Sequence, residues 1–258
     1  MEIILFDVTM RDGLQDIDKI YTLDEKKELL DSFIKPYITD YEIGSYPNLK
    51  FVPQMANSSE LYNYAFQKYG NSNHFYMLIF NNYGLQECIQ NNINHISFIT
   101  SYCETFIKKN INKSFSESLI FIQNILKNNI HIISKVYVST FCGSPHTPYH
   151  KDLLLNIIHN LYSLNIKYIT LSDTYSLLTP LLFENICIDL ASVYNDFSRF
   201  SLHIHKNRYY DEIIQIALRY NINIFDVSDI HSGGCTMIKN CNIGENLHIT
   251  DIQKYISS

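Results

Sequence analysis

Two short motifs carry the residues best suited to chemistry. Arg11-Asp12-Gly13-Leu14-Gln15 follows the apolar run Ile3–Val8, and His203-Ile204-His205 closes the run that starts at Phe200. Alternate residues of a strand share a face, so the two imidazoles project together from Cα atoms roughly 6.6 Å apart. A metal bound at about 2.0–2.1 Å from each nitrogen fits between them. An isolated pair of this kind is also simply two polar residues at a strand end. Asp12 is the natural carboxylate companion, although an Asp before Gly is a common turn residue. Arg11 beside such a centre can hold a carbonyl or carboxylate and stabilise developing negative charge.

Further candidates lie at equivalent places. Glu42 sits inside the run Tyr41-Glu42-Ile43-Gly44, where a carboxylate is costly unless it faces a polar mouth. Asp173 follows Leu171-Ser172 and reads equally as a site carboxylate or a helix cap. Ser232-Gly233-Gly234-Cys235 puts a thiol on an exposed loop, where it can act as acid or base or be incidental. Asn246, after Gly244-Glu245, can offer an amide oxygen to a hard cation. Asp12, His203, His205 and Asn246 together give two nitrogens and two oxygens, which suits Mg²⁺, Mn²⁺ or Zn²⁺. A cation there can polarise a hydroxyl and a carbonyl of a chelating substrate and favour breakage of a carbon–carbon bond to an enolate.

The elements that must position these residues alternate along the chain. Strands are expected at Ile3–Val8, Tyr37–Ile43, His74–Ile79, His95–Ile99, Ile132–Ser139, Tyr168–Leu171, Phe200–His205 and Asn223–Val227. Helical patterns lie between them at Leu23–Phe33, Ser59–Lys68, Ser116–Asn128, Lys151–Leu164, Pro180–Tyr194 and Tyr209–Tyr220. Thr22 before Glu25 and Ser114 before Glu117 have the spacing of capping boxes, and Pro180 suits a first helical turn. Eight strands separated by helices imply parallel βαβ units. Within 258 residues they favour an α/β (β/α)8 TIM barrel as a single catalytic domain over residues 1–258 with a short C-terminus. Six of the eight glycines fall in loops at the carboxyl ends of strands, the face where such barrels do chemistry.

Composition narrows the function. The net charge is −6 with no basic block, which argues against a nucleic-acid partner. No stretch of 18 apolar residues and no signal peptide is evident, so the chain reads as cytoplasmic, away from membranes. The six cysteines are dispersed without a CxxC pair and are expected as reduced thiols, most of them in the core.

These residues carry a resemblance that runs over nearly the whole chain. RDGLQ (Arg11–Gln15), the segments Tyr41–Met55, Phe106–Leu119 and Val136–Gly143, LSDT (Leu171–Thr174), LHIH (Leu202–His205), SGGC (Ser232–Cys235) and GENL (Gly244–Leu247) are similar to those of 3-hydroxy-3-methylglutaryl-CoA lyase. That family belongs to the metal-dependent TIM-barrel lyases, with isopropylmalate and homocitrate synthases. The resemblance implies retro-Claisen cleavage of 3-hydroxy-3-methylglutaryl-CoA to acetyl-CoA and acetoacetate. It implies Asp12, His203, His205 and Asn246 as ligands of a divalent cation, with Mg²⁺ or Mn²⁺ first and Zn²⁺ as an alternative. It implies Arg11 as enolate stabiliser, Cys235 as proton-transferring thiol, His203, Glu42 and Asp173 as further catalytic groups, and Gln15 and Ser45 as substrate contacts. Lys108 and Lys109 would attract the nucleotide phosphates of an acyl-CoA, and a homodimer is the usual assembly. The chain departs from the family at Lys206, where Asp is usual after the second histidine, and between Cys235 and Gly244, which is about two residues longer. The alternatives are a related Claisen-type synthase or aldolase on another carboxylate, and a catalytically impaired ligand-binding homologue.

Overall fold

The computed structural model describes residues 2–233 and 244–256. Eight parallel strands close into a barrel: β1 (Ile4–Asp7), β2 (Asp40–Ser45), β3 (His74–Leu78), β4 (His95–Thr100), β5 (Ile133–Ser139), β6 (Tyr168–Ser172), β7 (Phe200–His203) and β8 (Ile224–Val227). Each strand neighbours the next in sequence, and β8 pairs with β1 in register Ile4↔Ile224 to Asp7↔Val227. The expected (β/α)8 barrel is therefore the fold. Helices α1 (Leu23–Phe33), α2 (Ser58–Tyr69), α3 (Asn82–Gln90), α4 (Glu104–Ile111), α5 (Phe115–Asn128), α6 (Lys151–Tyr162), α7 (Pro180–Ala191) and α8 (Tyr210–Arg219) connect the strands, and α9 (Ile249–Ile256) follows β8. No described helix is long and apolar enough to cross a membrane.

Local signals account for several boundaries. Thr22 and Ser114 each accept from the amide three residues on, and Glu25 and Glu117 return to the cap amide, completing both capping boxes. Pro180 occupies the first turn of α7 behind the Thr179 cap. Strand β2 starts at Asp40 rather than Tyr37, because residues 36–37 form a turn that leaves Tyr37 exposed. Strand β7 ends at His203, and His205 instead forms an isolated antiparallel bridge with Asn246. Helices α3, α4 and α9 were not among the expected elements; they are 9, 8 and 8 residues long, too short for a firm 3.6-residue period. Cys88, Cys103, Cys142 and Cys187 are buried free thiols, as expected; Cys235 and Cys241 lie outside the described residues.

Burial falls into two bodies, as the alternation of strand side chains requires. The larger packs between strands and helices, with Leu5, Phe75, Val136, Ile169, Leu202 and Phe225 from six strands. The smaller comprises Phe6, Val8, Tyr76, Tyr168 and Ile224, with Phe6 edge-on to Tyr76 and Tyr168 at centroid distances of 5.0 and 5.7 Å. This aromatic plug forms the floor under the polar residues. Lys135 Nζ stands over the Phe6 ring, 3.3 Å from its centroid.

Candidate functional site

The first motif enters the site through an unusual turn. Directly after β1, residues Thr9–Gly13 form one π-helical turn, a feature often found at functional sites. The Val8 carbonyl accepts from the amides of Arg11 (3.2 Å), Asp12 (2.8 Å) and Gly13 (3.2 Å). Arg11 and Asp12 are consecutive, yet both side chains are buried at the barrel mouth.

Arg11 bridges two carboxylates. Its Nε donates to Glu42 Oε2 and one terminal nitrogen donates to Asp12 Oδ1. The Tyr137 hydroxyl donates to the same Glu42 oxygen at 3.1 Å, and the guanidinium lies over the Tyr137 ring, 5.2 Å from its centroid. Burial alone would lower the Arg11 pKa, but Glu42 and Asp12 outweigh it and hold the guanidinium firmly charged. Burial raises the Tyr137 phenol well above its ordinary range, so it stays a donor. Glu42 is fully buried behind Arg11, which explains a carboxylate inside a strand.

The histidines meet Asp12 from the end of β7, with only β8 between that strand and β1. One donor atom from each of Asp12, His203 and His205 lies within 4.8 Å of the others. His203 Nε2 is 3.9 Å from Asp12 Oδ2, while its Nδ1 is 3.1 Å from Asp226 Oδ2. His205 Nδ1 faces the Asp173 carbonyl at 3.3 Å. Asn246 Nδ2 donates to Asp12 Oδ2 at 2.8 Å. Burial pushes the Asp12 carboxyl up, but Arg11 and both histidines more than reverse this and hold it below the usual carboxylate range. Burial, with His203 beside it, lowers His205 to about 4, so its ring is neutral and able to ligate.

The donor set fits a divalent cation. Among the described residues, His205 Nε2 and Asn246 Oδ1 are buried without a hydrogen-bond partner. A buried acceptor left unpaired costs on the order of 1–3 kcal/mol. Both orphaned atoms belong to residues that meet Asp12 or approach it. A cation would give both a partner.

A cavity of about 340 Å³ opens above this cluster. Arg11, Asp12, Gln15, Ser45, Lys109, His203 and His205 line it, so seven of the residues singled out in the sequence converge there. Phe51, Val52, Phe80, Phe106 and Ile111 supply apolar wall. Gln15 Nε2 also donates to Asp12 Oδ1 at 2.9 Å. Lys108 is exposed on α4 and does not line the cavity. Asp173 stands behind the wall: its oxygens accept the Leu177 and Leu178 amides, each at 2.9 Å, and the Cys142 thiol at 3.2 Å. Burial raises the Asp173 carboxyl despite those bonds. The side chain thus clamps the loop after β6. Cys235 lies outside the described residues.

Lys206 does not point at the site. Its Nζ pairs with Asp251 Oδ1 at 3.0 Å and lies over the Tyr210 ring, away from the cavity. Three residues of the site were missed in the sequence. Tyr137 lines the cavity, and Lys135 and Asp226 are buried beneath it. The signal was present, since both are charges inside apolar strand runs, a costly placement that needs a partner.

A family model described as HMGL-like matches residues 2–209. The cytoplasmic 3-hydroxy-3-methylglutaryl-CoA lyase of Rattus norvegicus is 28% identical over 241 residues, covering 91% of this chain and 69% of the relative. The crystal structure of the HMG-CoA lyase from Brucella melitensis superposes with a TM-score of 0.90 at 21% identity, covering 99% of this chain and 90% of that one. An HMG-CoA lyase from Acinetobacter baumannii, in complex with coenzyme A and 3-methylmalate, gives 0.88 at 20% identity, covering 99% and 83%. The two structural likenesses establish the barrel, and the family model spans most of the chain. Matched by that model over residues 2–209, this chain belongs to the HMGL-like family.

Proposed function

We propose that this protein is a divalent-metal-dependent carbon–carbon lyase that cleaves 3-hydroxy-3-methylglutaryl-CoA to acetyl-CoA and acetoacetate. The observation that carries the reading is the convergence of Asp12, His203 and His205 donor atoms within 4.8 Å, with His205 Nε2 and Asn246 Oδ1 lacking partners among the described residues. Asp12, His203, His205 and Asn246 would hold the cation. When bound, it supplies Lewis acidity that acidifies the substrate's tertiary hydroxyl and polarises an adjacent oxygen.

The chain's own residues do the rest. As the hydroxyl proton passes to the Cys235 thiolate, the bond between the hydroxyl-bearing carbon and the thioester's α-carbon breaks, leaving acetoacetate, and its electron pair moves into the thioester as an enolate. Arg11, already fixed by Glu42 and Asp12, directs its remaining N–H groups at the enolate oxygen without reorganising. Cys235 is assigned by family resemblance to protonate the enolate carbon, yielding the acetyl thioester. Gln15 and Ser45 orient the substrate's polar arms, and the apolar wall excludes water. Lys109 at the cavity rim, with Lys108 farther out, attracts the coenzyme's phosphates. Asp173 keeps the loop after β6 in place through two backbone amides.

The test is product formation by purified protein supplied with Mg²⁺ or Mn²⁺ and a panel of 3-hydroxyacyl-CoA thioesters. Acetoacetate release from the hydroxymethylglutaryl thioester is expected, and His203→Ala should abolish it. No turnover of any thioester by metal-loaded protein would overturn the reading.

A further inference from the structure

Below the cavity lies a buried charge array outside the proposed ligand set. Lys135 on β5 and Asp226 on β8 are both inaccessible to solvent, with Lys135 Nζ 2.5 Å from Asp226 Oδ1. The other carboxylate oxygen, Oδ2, reaches His203 Nδ1 at 3.1 Å. Lys135 also stands over the Phe6 ring, and the Tyr137 ring meets His203 edge-on at a centroid distance of 5.8 Å. Burial pushes the Asp226 carboxyl up, but Lys135 and His203 outweigh it and keep it below the usual carboxylate range. A buried ion pair contributes little net stability compared with well-packed apolar residues, so its retention here calls for another use.

We propose that Asp226, oriented by Lys135, is a positioning residue that fixes His203 as the Nδ1–H tautomer and leaves the Nε2 lone pair facing the cation. The inference rests on the metal reading of the site given above. A carboxylate accepts only, so an oxygen 3.1 Å from Nδ1 requires the proton on that nitrogen. Nε2, the nitrogen nearer Asp12, is then the ligating atom. Lys135 matters because an ammonium donates only. It occupies one carboxylate oxygen and turns the other toward His203.

This division of labour makes a specific prediction for Asp226→Asn. Lys135 draws the amide oxygen to itself, so the amide NH₂ faces His203 Nδ1. His203 must then accept at Nδ1 and carry its proton on Nε2, where it blocks the cation. Replacing Lys135 as well, in Lys135→Met/Asp226→Asn, removes the constraint and lets the amide turn its oxygen back to His203. The double variant therefore recovers what the single variant loses. A purely structural role predicts the opposite, since the double variant removes more of the array.

The experiment is a ¹⁵N–¹H histidine correlation spectrum of the metal-free full chain, with His203 assigned by its loss in His203→Gln, paired with Mn²⁺ titration calorimetry. Nδ1–H is expected in the wild type and Nε2–H in Asp226→Asn. Mn²⁺ affinity should fall about 10–100-fold in the single variant and return at least halfway, on a logarithmic scale, in the double. The same tautomer in wild type and Asp226→Asn, or no recovery in the double variant, would overturn the inference. A wild type that shows Nδ1–H but takes up no Mn²⁺ would instead overturn the metal reading alone.

Discussion

Asn246 Nδ2 donates to Asp12 Oδ2 over 2.8 Å, joining the loop after the last barrel strand to the turn after the first. The bond aims the amide nitrogen at the carboxylate and leaves Oδ1 buried, with no partner among the described residues. Two residues 234 positions apart are thereby held as one polar unit at the barrel mouth. Asn246 is held in turn by its backbone, which donates to Ser232 O at 3.2 Å and bridges to His205.

Gly233 is packed onto that unit. Its φ is +130°, and a Cβ there would overlap the Asn246 carboxamide. Gly233→Ala should displace Asn246, at a backbone cost of about 1–3 kcal/mol. The expected outcome is Mn²⁺ binding weakened at least about tenfold by calorimetry, the loss of one positioned ligand. Wild-type affinity in this variant would show that Asn246 does not ligate.

Arg11 spans two carboxylates that a lysine cannot span together. Arg11→Lys keeps a positive charge but loses the planar fork, leaving Glu42 or Asp12 with a weakened partner. Turnover should fall about 10²–10³-fold, the scale of one lost oxyanion donor. Mn²⁺ affinity should change far less. Steady-state kinetics beside calorimetry separates the two; equal losses in both would make Arg11 a support for the metal ligands only.

Lys206 is directed at Asp251 across a partly exposed contact. Lys206→Ala should cost under about 1 kcal/mol in thermal or denaturant unfolding, and Mn²⁺ affinity should stay within about twofold, because the charge does not face the site. A marked rise in affinity would mean that the ammonium repels the cation after all.

Asp7 sets a pH dependence separate from the site. The side chain is 1% exposed; burial, opposed by bonds from the Thr9 amide and hydroxyl and reinforced by Asp229, raises it to about 7. The folded state then binds more protons than the unfolded state between the ordinary aspartate value and about 7, so stability falls as pH rises through that window. The contribution is at most about 4 kcal/mol at 1.36 kcal/mol per pKa unit. Asp7→Asn should raise the melting temperature at pH 8 and leave it nearly unchanged at pH 4. An equal shift at both would show that Asp7 is ionised throughout.

The two motifs that opened the sequence were legible because they join a strand signal to residues with strong chemical preferences. RDG after Ile3–Val8 and HxH at the end of the seventh run both stand at the mouth of the barrel. Glu42 was legible as a carboxylate inside a strand. Its pairing with Arg11 was not, because the π turn that swings Arg11 across to β2 has no sequence signature. Lys135 and Asp226 are 91 positions apart and become a pair only when β5 and β8 face each other inside a closed barrel. The direction of Lys206 depended on α9, whose Asp251 receives it.

The most direct measurement is a Mn²⁺ titration of metal-stripped protein in which cleavage of the hydroxymethylglutaryl thioester is followed at each step. Acetoacetate and acetyl-CoA should appear in equal amounts, at a rate that rises with occupancy of one cation site and saturates with it. Full-rate cleavage before any Mn²⁺ is added, or a saturated site with no cleavage, would contradict a metal-dependent lyase.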